Sequence, residues 1–508
     1  MYIILIYYLL FCGFVGKMIR PTLEETKNIA SFGKYDVVPL STELYADTAT
    51  PIEVLRKLMK VSGHCFILES VEDNKRWGRY TFLGFDPRTE ITCSSGLTKI
   101  RCGSETRIEK KDPNECIREI LKKNRSVRFP DLPPFTGGLV GYFSYDHVKY
   151  SEPSLILNAK DDEHFNDFDL MLFDKVVAFD HYRQKIVLIV NVRTENIEDE
   201  YKNGVRELKC LKKIVTGGEP ERTAPARLGS EFKALFSEKE FCGIVEKAKE
   251  YIREGEIFQV VLSNRYEAEF EGCLLDAYRI MRTTNPSPYM FYFRGGNIEI
   301  AGASPETLVK LQDGKISTFP LAGTRPRGST DKEDEELEKE LLSDEKELAE
   351  HNMLVDLGRN DLGIVSRTGS VSVERYMSIL RYSHVMHIGS AVSGEIRDDK
   401  NGLDAVNAVL PAGTLSGAPK IRAMEIIDEL EGERRGIYGG AIGYLDLTGN
   451  MDTCIAIRIA YKKNGKVFVR SGAGIVADSD PRSEYKECMN KSKAAMNAVI
   501  MSAGGVDP

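Results

Sequence analysis

Four glutamates that occur as two spaced pairs are the first side chains in this sequence that could do chemistry. Glu347 and Glu350 are three residues apart in a helical pattern, and Glu484 and Glu487 repeat that spacing, followed by Lys491 on the same face. Mg²⁺ in proteins keeps several waters and takes its other oxygens from one or two carboxylates and a substrate, so two such helices could hold it. Pairs of this kind are also typical of a solvated helix face, and the spacing alone leaves both interpretations open.

Turns made of small residues stand beside the acidic segments and could bind anions through the backbone. "SGAGIVADSDP" places Gly472, Ala473 and Gly474 between a strand and the second acidic helix. "GTLSGAPK" (413–420) enters another helix, and "FPLAGTRPRG" (319–328) supplies a third turn. Consecutive small residues let backbone N–H groups approach a carboxylate or phosphate closely. A metal beside three such turns therefore predicts a small polyanionic substrate.

The second half of the sequence contains the elements that would position these residues. Ser237 and Glu240 predict a capping box that opens an amphipathic helix, and Asp480 predicts the cap of the last helix. Asn464-Gly465 predicts a tight hairpin turn between two strands. Further helices are expected at 332–358, 418–431 and 481–503.

The first half of the sequence reads as strand after strand. "HCFILES", "RYTFLGF" and "GGLVGYFSYD" are β-rich runs separated by turn residues, and "TGGEPERTAPARLGS" (216–230) has the Gly, Pro and charge content of a linker. Strands in runs predict an α+β fold of antiparallel sheets with helices packed outside. We therefore expect an N-terminal region over 18–215, a linker over 216–236 and a C-terminal catalytic domain over 237–505.

The composition favours a reduced, cytoplasmic protein and argues against a nucleic-acid partner. The 508 residues carry a net charge of -8, with a pI near 5.7 and no long basic block. Ten cysteines show no C-x-x-C spacing, so the sequence predicts neither a zinc site nor a disulfide framework.

The first 17 residues differ from the rest of the chain. Residues 2–15 are an apolar run shorter than the roughly 18 residues that cross a bilayer, and they lack the features of a signal peptide. Met18 opens an ordinary start in which Thr22 is predicted to cap a helix. We interpret residues 1–17 as translated from an upstream start codon; a weak membrane anchor is the alternative, and we do not expect a membrane partner.

The motifs, taken in order, resemble the chorismate-binding domain of anthranilate synthase component I, within the chorismate-utilising enzyme family. The resemblance runs from about residue 20 to 503 and is carried by "FPLAGTRPRG", "ELAEHNMLVDLGRNDLG", "RYSHVMH", "GTLSGAPK", "YGGAIGY", "DTCIAIR", "SGAGIVADSDP" and "E..ECMNK". It implies a Mg²⁺-dependent lyase that converts chorismate and ammonia to anthranilate and pyruvate, the step that opens tryptophan biosynthesis.

The resemblance assigns roles to the acidic pairs and to the small-residue turns. It implies that Glu350 and Glu487 bind Mg²⁺, with Glu347 and Glu484 as second ligands or as partners of the ligands. The residues that it implies for chorismate binding are Gly323, Thr324, Thr414, Tyr438, Arg458, Gly472, Ala473, Gly474 and Lys491.

Three other residues match catalytic positions of the family. Glu306 matches the general acid that protonates the departing 4-hydroxyl of chorismate. His387 matches the histidine linked to loss of the enolpyruvyl group as pyruvate; His384 lies three residues earlier, and the motif position selects His387. Gln259 stands where the water-adding relatives carry a lysine base, and because an amide cannot deprotonate water, it suits ammonia as the nucleophile.

The alternative within the family is aminodeoxychorismate synthase component I, which aminates chorismate without eliminating pyruvate. Relatives that form a covalent intermediate carry a lysine where this chain has Ala322, so the sequence favours the anthranilate branch. An alternative from another class is a catalytically silent subunit that senses amino acids. The intact set of catalytic and metal positions argues against it: Glu306, Glu350, His387 and Glu487.

The resemblance also implies feedback inhibition by tryptophan. "FILES", with Glu69 and Ser70, matches one wall of the family's inhibitor site, and "NPSPYMFYF", with Pro288, Tyr289 and Met290, matches the other. A core strand that ends in a polar turn is the alternative interpretation of "FILES". The sequence carries no glutamine-hydrolysing motif, so glutamine would serve only through a separate glutamine amidotransferase subunit, component II, that delivers ammonia.

Overall fold

Helices surround two large β-sheets in the computed structural model, which describes residues 19–70, 78–381 and 385–504. The expectations for residues 1–17 and for His384 fall outside these ranges. The helices of the described ranges are α1 (Leu23–Ser31), α2 (Pro51–Val61), α3 (Pro113–Lys122), α4 (Ile197–Gly217), α5 (Glu238–Arg253), α6 (Leu275–Thr284), α7 (Asp331–Ser343), α8 (Glu345–Gly363), α9 (Gly402–Val409), α10 (Lys420–Glu431) and α11 (Pro481–Ala503), with short 3₁₀ turns at Tyr145–Tyr150 and Gly413–Leu415.

The strands follow the β-rich runs of the sequence. They are β1 (Val37–Tyr45), β2 (Cys65–Glu69), β3 (Tyr80–Phe85), β4 (Thr89–Ser94), β5 (Leu97–Cys102), β6 (Glu105–Glu109), β7 (Gly138–Phe143), β8 (Phe168–Phe173), β9 (Lys175–Asp180), β10 (Lys185–Arg193), β11 (Arg227–Leu228), β12 (Lys233–Ala234), β13 (Gln259–Glu271), β14 (Tyr289–Arg294), β15 (Glu299–Ser304), β16 (Thr307–Gln312), β17 (Lys315–Thr318), β18 (Leu321–Pro326), β19 (Ser372–Arg381), β20 (Val385–Glu395), β21 (Gly417–Ala418), β22 (Ala441–Asp446), β23 (Met451–Ile455), β24 (Ile459–Lys463) and β25 (Lys466–Ile475).

Both sheets are antiparallel, and both draw strands from the two halves of the chain. In the described residues the first sheet runs β1-β10-β9-β3-β2-β14-β15-β24-β25-β13-β11, with β12 and β21 also paired to β13. The second runs β18-β20-β17-β16-β23-β22-β7-β8-β4-β5-β6, with β19 paired to β20. The expected α+β class with antiparallel sheets and outer helices is confirmed.

The segment 216–236 does not separate one sheet from the other. Strand β2 of the first half pairs with β14 of the second half, and β7 pairs with β22, so hydrogen-bonded ladders cross the expected boundary in both sheets. Part of the expected linker itself forms β11 and β12, which pair with β13. The division at 216–236 therefore describes the order of the chain, and the independence of the two regions stays a prediction.

The two sheets pack face to face over an aromatic core. Phe66 on β2 and Phe173 on β8 meet edge to face with ring centroids 4.8 Å apart, and Phe135 packs edge-on against Phe66. Burying such rings is worth about 1.5–3 kcal/mol each relative to leaving them in water. Separate apolar clusters lie under the outer helices, so each sheet is covered on both faces.

Most helices begin and end close to where their capping residues predicted. Ser237 and Glu240 form the expected capping box, and Asp480 caps α11 by accepting from the N–H of Ser483. The single helix expected at 332–358 was wrong. Asp344 interrupts it, because its extended backbone and its side chain, which accepts from the Lys346 N–H, make it the cap of a second helix, α8.

Among the helices of residues 19–70, 78–381 and 385–504, none combines the length and the apolar character that a bilayer crossing requires.

A fully buried ion cluster joins the elements next to two of the small-residue motifs. Glu431 at the end of α10 accepts from Arg435 at 2.5 Å and from Arg470 of β25 at 2.7 Å, and all three side chains are at most 4% exposed. The N–H and hydroxyl of Ser263 on β13 also donate to Glu431. Arg435 further donates to the carbonyl oxygen of Leu415, in the "GTLSGAPK" turn.

We expect Glu431→Gln to destabilise the protein by about 3–5 kcal/mol, because removing one partner of a buried ion pair leaves charges without compensation. Two buried guanidiniums would lose their carboxylate. Chemical denaturation followed by circular dichroism measures the change. Glu429→Gln, at an exposed position of the same helix, is the control and should fall within about 0.5 kcal/mol of the unmodified protein. Equal midpoints for the two variants would contradict the prediction.

Candidate functional site

Two glycines on β25 let two polar side chains pack closely against the backbone. A Cβ atom at Gly472 would lie 3.0 Å from the Tyr438 hydroxyl, and one at Gly474 would lie 2.7 Å from Nε2 of Gln259. Both distances are shorter than ordinary contacts, so any larger side chain there would displace those groups. The Gly472–Gly474 segment, Tyr438 and Gln259 are therefore neighbours, and their common role in a substrate site stays a prediction.

Glu306 is a buried carboxyl group at the same end of the molecule. Its side chain is 9% exposed, and the hydroxyl of Thr414 donates to its Oε1 at 3.2 Å. Burial raises the pKa of Glu306 to about 8, against the opposing effects of the Thr414 hydrogen bond and the charge of Lys491. A carboxyl group with this pKa is protonated at neutral pH and can act as a general acid.

His387 on β20 is fixed by the turn that contains Gly323 and Thr324. Its Nδ1 lies 2.9 Å from the carbonyl oxygen of Gly323 and 3.1 Å from the hydroxyl of Thr324. A carbonyl oxygen only accepts, so Nδ1 carries the proton and Nε2 is left as the basic nitrogen. Burial, reinforced by the charge of Arg458 and opposed by the Gly323 hydrogen bond, lowers the pKa of His387. The neutral form therefore predominates at neutral pH.

The turn at Gly323 also adjoins the first acidic pair. Gly323 has a φ of +64°, and a Cβ atom there would lie 2.9 Å from the Leu341 side chain and 3.2 Å from Oε2 of Glu347. A left-handed backbone and this close approach both favour glycine. Nε2 of Gln259 lies 3.5 Å from Oε1 of Glu350, so the amide and the first acidic pair are neighbours.

Glu487 of the second acidic pair lines an open cleft beside α11. A cleft of about 460 Å³ is lined by Arg458, Glu487, Lys491 and neighbouring residues of α11. Lys491 pairs with Glu487 at 2.6 Å and also donates to the carbonyl oxygen of Gly472 at 3.3 Å. Burial lowers the pKa of Arg458, which marks it as a cation that a bound carboxylate would stabilise.

The acidic pairs have the ligand chemistry of a hard cation. Burial raises the pKa of Glu347, with the adjacent Glu350 adding to the effect, and burial likewise raises that of Glu484, with Glu487 adding to it. The two carboxylates of each pair therefore disfavour each other's charge, and a cation such as Mg²⁺ would relieve that repulsion. Arg325, 3.6 Å from Glu347, and Lys491, 2.6 Å from Glu487, offset part of it. Across residues 19–70, 78–381 and 385–504, no three His, Cys, Asp or Glu side chains form a ready-made metal cluster. The assembly of the two pairs into one metal site stays a prediction.

The arginines of "FPLAGTRPRG" point to carboxylates of this chain. Arg325 pairs with Glu340 and Asp344, each at 3.0 Å, and Arg327 donates to Asp334. Arg325 also lies 3.6 Å from Glu347 of the first acidic pair, whereas the contact with His387 comes from the turn itself.

A second cavity, of about 310 Å³, brings together the two segments predicted to bind an inhibitor. Strands β2 and β14 pair directly, with Met290 opposite Glu69. The predicted residues that line the cavity are Glu69, Ser70, Pro288, Tyr289 and Met290. The carboxylate of Glu69 accepts from Arg282 and Tyr278, so it holds α6 against this wall.

Sequence reasoning missed the residues that the second sheet contributes to this cavity. Lys310 of β16 and Asp452 of β23 line it and form an ion pair at 3.2 Å. Neither belongs to a motif near "FILES" or "NPSPYMFYF". Only the pairing of β16 with β23 across the facing sheet brings them there.

Comparisons with known proteins find similarity along nearly the whole chain. Residues 63–497 match the family described as chorismate binding enzyme. Anthranilate synthase component 1 of Acetivibrio thermocellus is 47% identical over 492 residues, which is 95% of this chain and 99% of that protein. The crystal structure of anthranilate synthase component I from Streptococcus pneumoniae TIGR4 superposes with a TM-score of 0.72 at 38% identity, over 84% of this chain and 93% of that one.

A more distant structure shares the fold. MenF, the menaquinone-specific isochorismate synthase from Escherichia coli, gives a TM-score of 0.68 at 19% identity, over 94% of this chain and 98% of its own.

We expect Glu306 to be protonated at pH 7 and to ionise near pH 8. Because burial raises its pKa, the neutral form should persist up to about 8 and the charged form should appear only above it. The infrared difference spectrum between the unmodified protein and Glu306→Gln should show a protonated carboxyl band at pH 7 that declines through about pH 8.

Thr414→Val provides the internal check on this assignment. The Thr414 hydrogen bond lowers the pKa of Glu306, so its loss should move the midpoint to higher pH. A band that is already absent at pH 7 would show that Glu306 is ionised and would refute the general-acid chemistry.

Proposed function

This chain belongs to the chorismate-binding enzyme family, and from that premise we propose that it is the large subunit of an anthranilate synthase. In this role it converts chorismate and ammonia to anthranilate and pyruvate for tryptophan biosynthesis. The observation that carries the proposal is the 47% identity to an anthranilate synthase component 1 along nearly the whole of both chains. The free cysteines of the described residues suit a cytoplasmic enzyme.

The proposed amination uses a buried acid and an amide. Glu306 is protonated at neutral pH and donates to the departing 4-hydroxyl of chorismate, which leaves as water. Gln259 lies against the bare Gly474 backbone, where its amide can orient ammonia by hydrogen bonding. Neutral ammonia is a stronger nucleophile than water and attacks without prior deprotonation, so the step needs no general base to activate the nucleophile.

We propose that residues around β25 bind chorismate and that His387 of β20 acts in the elimination of pyruvate. Arg458 and Lys491 supply fixed positive charge for the carboxylates of chorismate, and the N–H groups of Gly472 to Gly474 and the Tyr438 hydroxyl complete the site. Nε2 of neutral His387 is the basic nitrogen available for the loss of the enolpyruvyl group as pyruvate.

We propose Mg²⁺ as the cofactor, held by Glu350 and Glu487 with Glu347 and Glu484 beside them. Bound there, the ion would neutralise the ring carboxylate of chorismate and stabilise negative charge that develops during elimination. Lys491 now pairs with Glu487, so this lysine would exchange partners when the cation and substrate bind.

The cavity between β2 and β14 is proposed to bind tryptophan as a feedback inhibitor. Its volume of about 310 Å³, its aromatic and proline walls and the Lys310–Asp452 ion pair suit an apolar side chain joined to a zwitterionic backbone. We further propose that a glutamine amidotransferase subunit supplies ammonia from glutamine.

Purified protein given chorismate, ammonium and Mg²⁺ at mildly alkaline pH should release anthranilate and pyruvate in equal amounts. Anthranilate fluorescence and a coupled pyruvate assay measure the two products. Glu350→Gln and Glu487→Gln remove charge at nearly constant shape and should each lower the rate at least about 100-fold, whereas Glu345→Gln, exposed on the same helix as Glu350, should not.

Two results would count against these assignments. An aminated product without pyruvate would identify an aminodeoxychorismate synthase instead. A near-normal rate for Glu487→Gln at ordinary Mg²⁺ concentration would refute the metal assignment while leaving the lyase function standing.

Ser70→Ala should leave an active enzyme that tolerates tryptophan. A hydrogen bond to a charged ligand is worth about 1.5–3 kcal/mol, so its loss should weaken inhibition at least about tenfold. Met290→Thr, on the facing segment, should act in the same direction. Inhibition curves against tryptophan measure both effects. Ser287→Ala is the matched control, because Ser287 adjoins Pro288 but its hydroxyl donates to the carbonyl oxygen of Asn285. Superimposed inhibition curves for the unmodified protein and the three variants would refute the inhibitor site.

A further inference from the structure

Glu306 lies in a two-residue connection between the two sheets. Strand β15 of the first sheet ends at Ser304, and β16 of the second sheet begins at Thr307. Ser304 donates through its hydroxyl to the carbonyl oxygen of Ile455 on β23 at 2.7 Å, which ties the end of β15 to the second sheet. Because a two-residue connection has little conformational freedom, the position of Glu306 depends on how the two sheets meet here.

Tyr289 spans the same meeting point from the first sheet. It lies opposite Ser304 in the β14–β15 ladder, and its hydroxyl donates to Oδ1 of Asp452 at 2.8 Å. The same hydroxyl is 2.9 Å from Oγ1 of Thr307. Burial raises the pKa of Tyr289 well above its usual range, so the hydroxyl keeps its proton. Its single proton goes to the carboxylate of Asp452, and Thr307 is therefore the donor to Tyr289.

The same groups form the wall of the inhibitor cavity. Tyr289, Asp452 and Lys310 all line it, and Nζ of Lys310 lies 3.2 Å from Oδ2 of Asp452. Lys310 stands on β16, three residues after Thr307. A continuous set of contacts thus runs from the cavity through Asp452 and Tyr289 to Thr307, whose backbone continues directly from Glu306.

We propose that Tyr289 and Thr307 are positioning residues for Glu306, and that through them a tryptophan bound in the cavity displaces this acid. The regulatory half rests on the proposed function, since it requires tryptophan to occupy the cavity. The ammonium and carboxylate groups of a zwitterionic amino acid compete for Asp452 and Lys310. Asp452 then releases the Tyr289 hydroxyl, so the ring is no longer held in place. The oxygen that accepts from Thr307 moves with the ring, and the start of β16 is no longer fixed. Occupancy can act in this way only because the two arrangements of these groups bind the ligand with different affinity.

Tyr289→Phe and Thr307→Val each remove one hydroxyl of the link and nearly preserve shape. We expect kcat to fall about 2- to 10-fold, the factor that corresponds to one ordinary hydrogen bond, while KM for chorismate stays within about twofold. The alkaline limb of the pH–rate profile, which reports Glu306, should also move. Thr307→Ser restores the hydroxyl and should recover both properties.

Calorimetry and inhibition measured on the same variants test the regulatory half. Thr307→Val should bind tryptophan within about threefold of the unmodified protein, yet saturating tryptophan should inhibit it only partly. Tyr80→Phe is the control, because Tyr80 lines the cavity from β3 and adjoins neither Glu306 nor Thr307 in sequence; its inhibition should remain complete at saturation.

The outcomes separate this proposal from the proposed function. Complete inhibition of both Tyr289→Phe and Thr307→Val at saturation overturns the link, even where tryptophan binds normally. Calorimetry that finds no binding to the unmodified protein overturns the inhibitor assignment and the regulatory half with it. The positioning half is then decided by kcat and the pH profile alone, and unchanged values for Thr307→Val overturn it.

Discussion

The charge buried at Glu431 constrains the whole catalytic end of the molecule. A carboxylate in the interior costs several kcal/mol unless it is paired and hydrogen-bonded. Arg435 and Arg470 both pair with Glu431, and their side chains are themselves buried. Helix α10, strand β13 and strand β25 must therefore meet in one geometry. Because Arg435 also binds the Leu415 carbonyl oxygen and lies 5.9 Å from the ring of Tyr438, the same cluster places the turn of Thr414 and the tyrosine of the site.

Two buried glutamates show that neighbouring charges decide whether a buried carboxyl group is ionised. Burial acts to raise the pKa of Glu431, but the charges of Arg435 and Arg470 outweigh it, so the pKa is lowered and the side chain is structural. At Glu306 the opposing effects of Thr414 and Lys491 are weaker than burial, and the pKa rises to about 8. The difference lies in the partners and not in the depth of burial. An acid that must hold a proton at neutral pH needs an interior site from which arginine is kept away.

What the sequence could predict was the chemistry that lies within one segment. Ser237, Asp480 and the Asn464-Gly465 turn act through neighbours a few residues away, and each does what its pattern indicates. The interleaving of the sheets depends on ladders between strands far apart in the chain, which no local pattern encodes. Lys310 and Asp452 were not predicted for that reason. The helix break at Asp344 was not predicted because a capping aspartate inside a helical pattern looks like a surface aspartate.

The size of hydrogen-bond energies limits what the Tyr289 link can do by itself. Moving a two-state equilibrium from 1:99 to 99:1 requires about 5.5 kcal/mol of differential binding, whereas one hydrogen bond contributes about 1 kcal/mol. The remainder has to come from the cavity walls themselves. Tyr289 and Met290 belong to the first sheet and Lys310 and Asp452 to the second, so a ligand between them contacts both sheets at once. Its full binding energy can then act on the spacing of the sheets, with Tyr289 and Thr307 directing part of that change to the connection that carries Glu306.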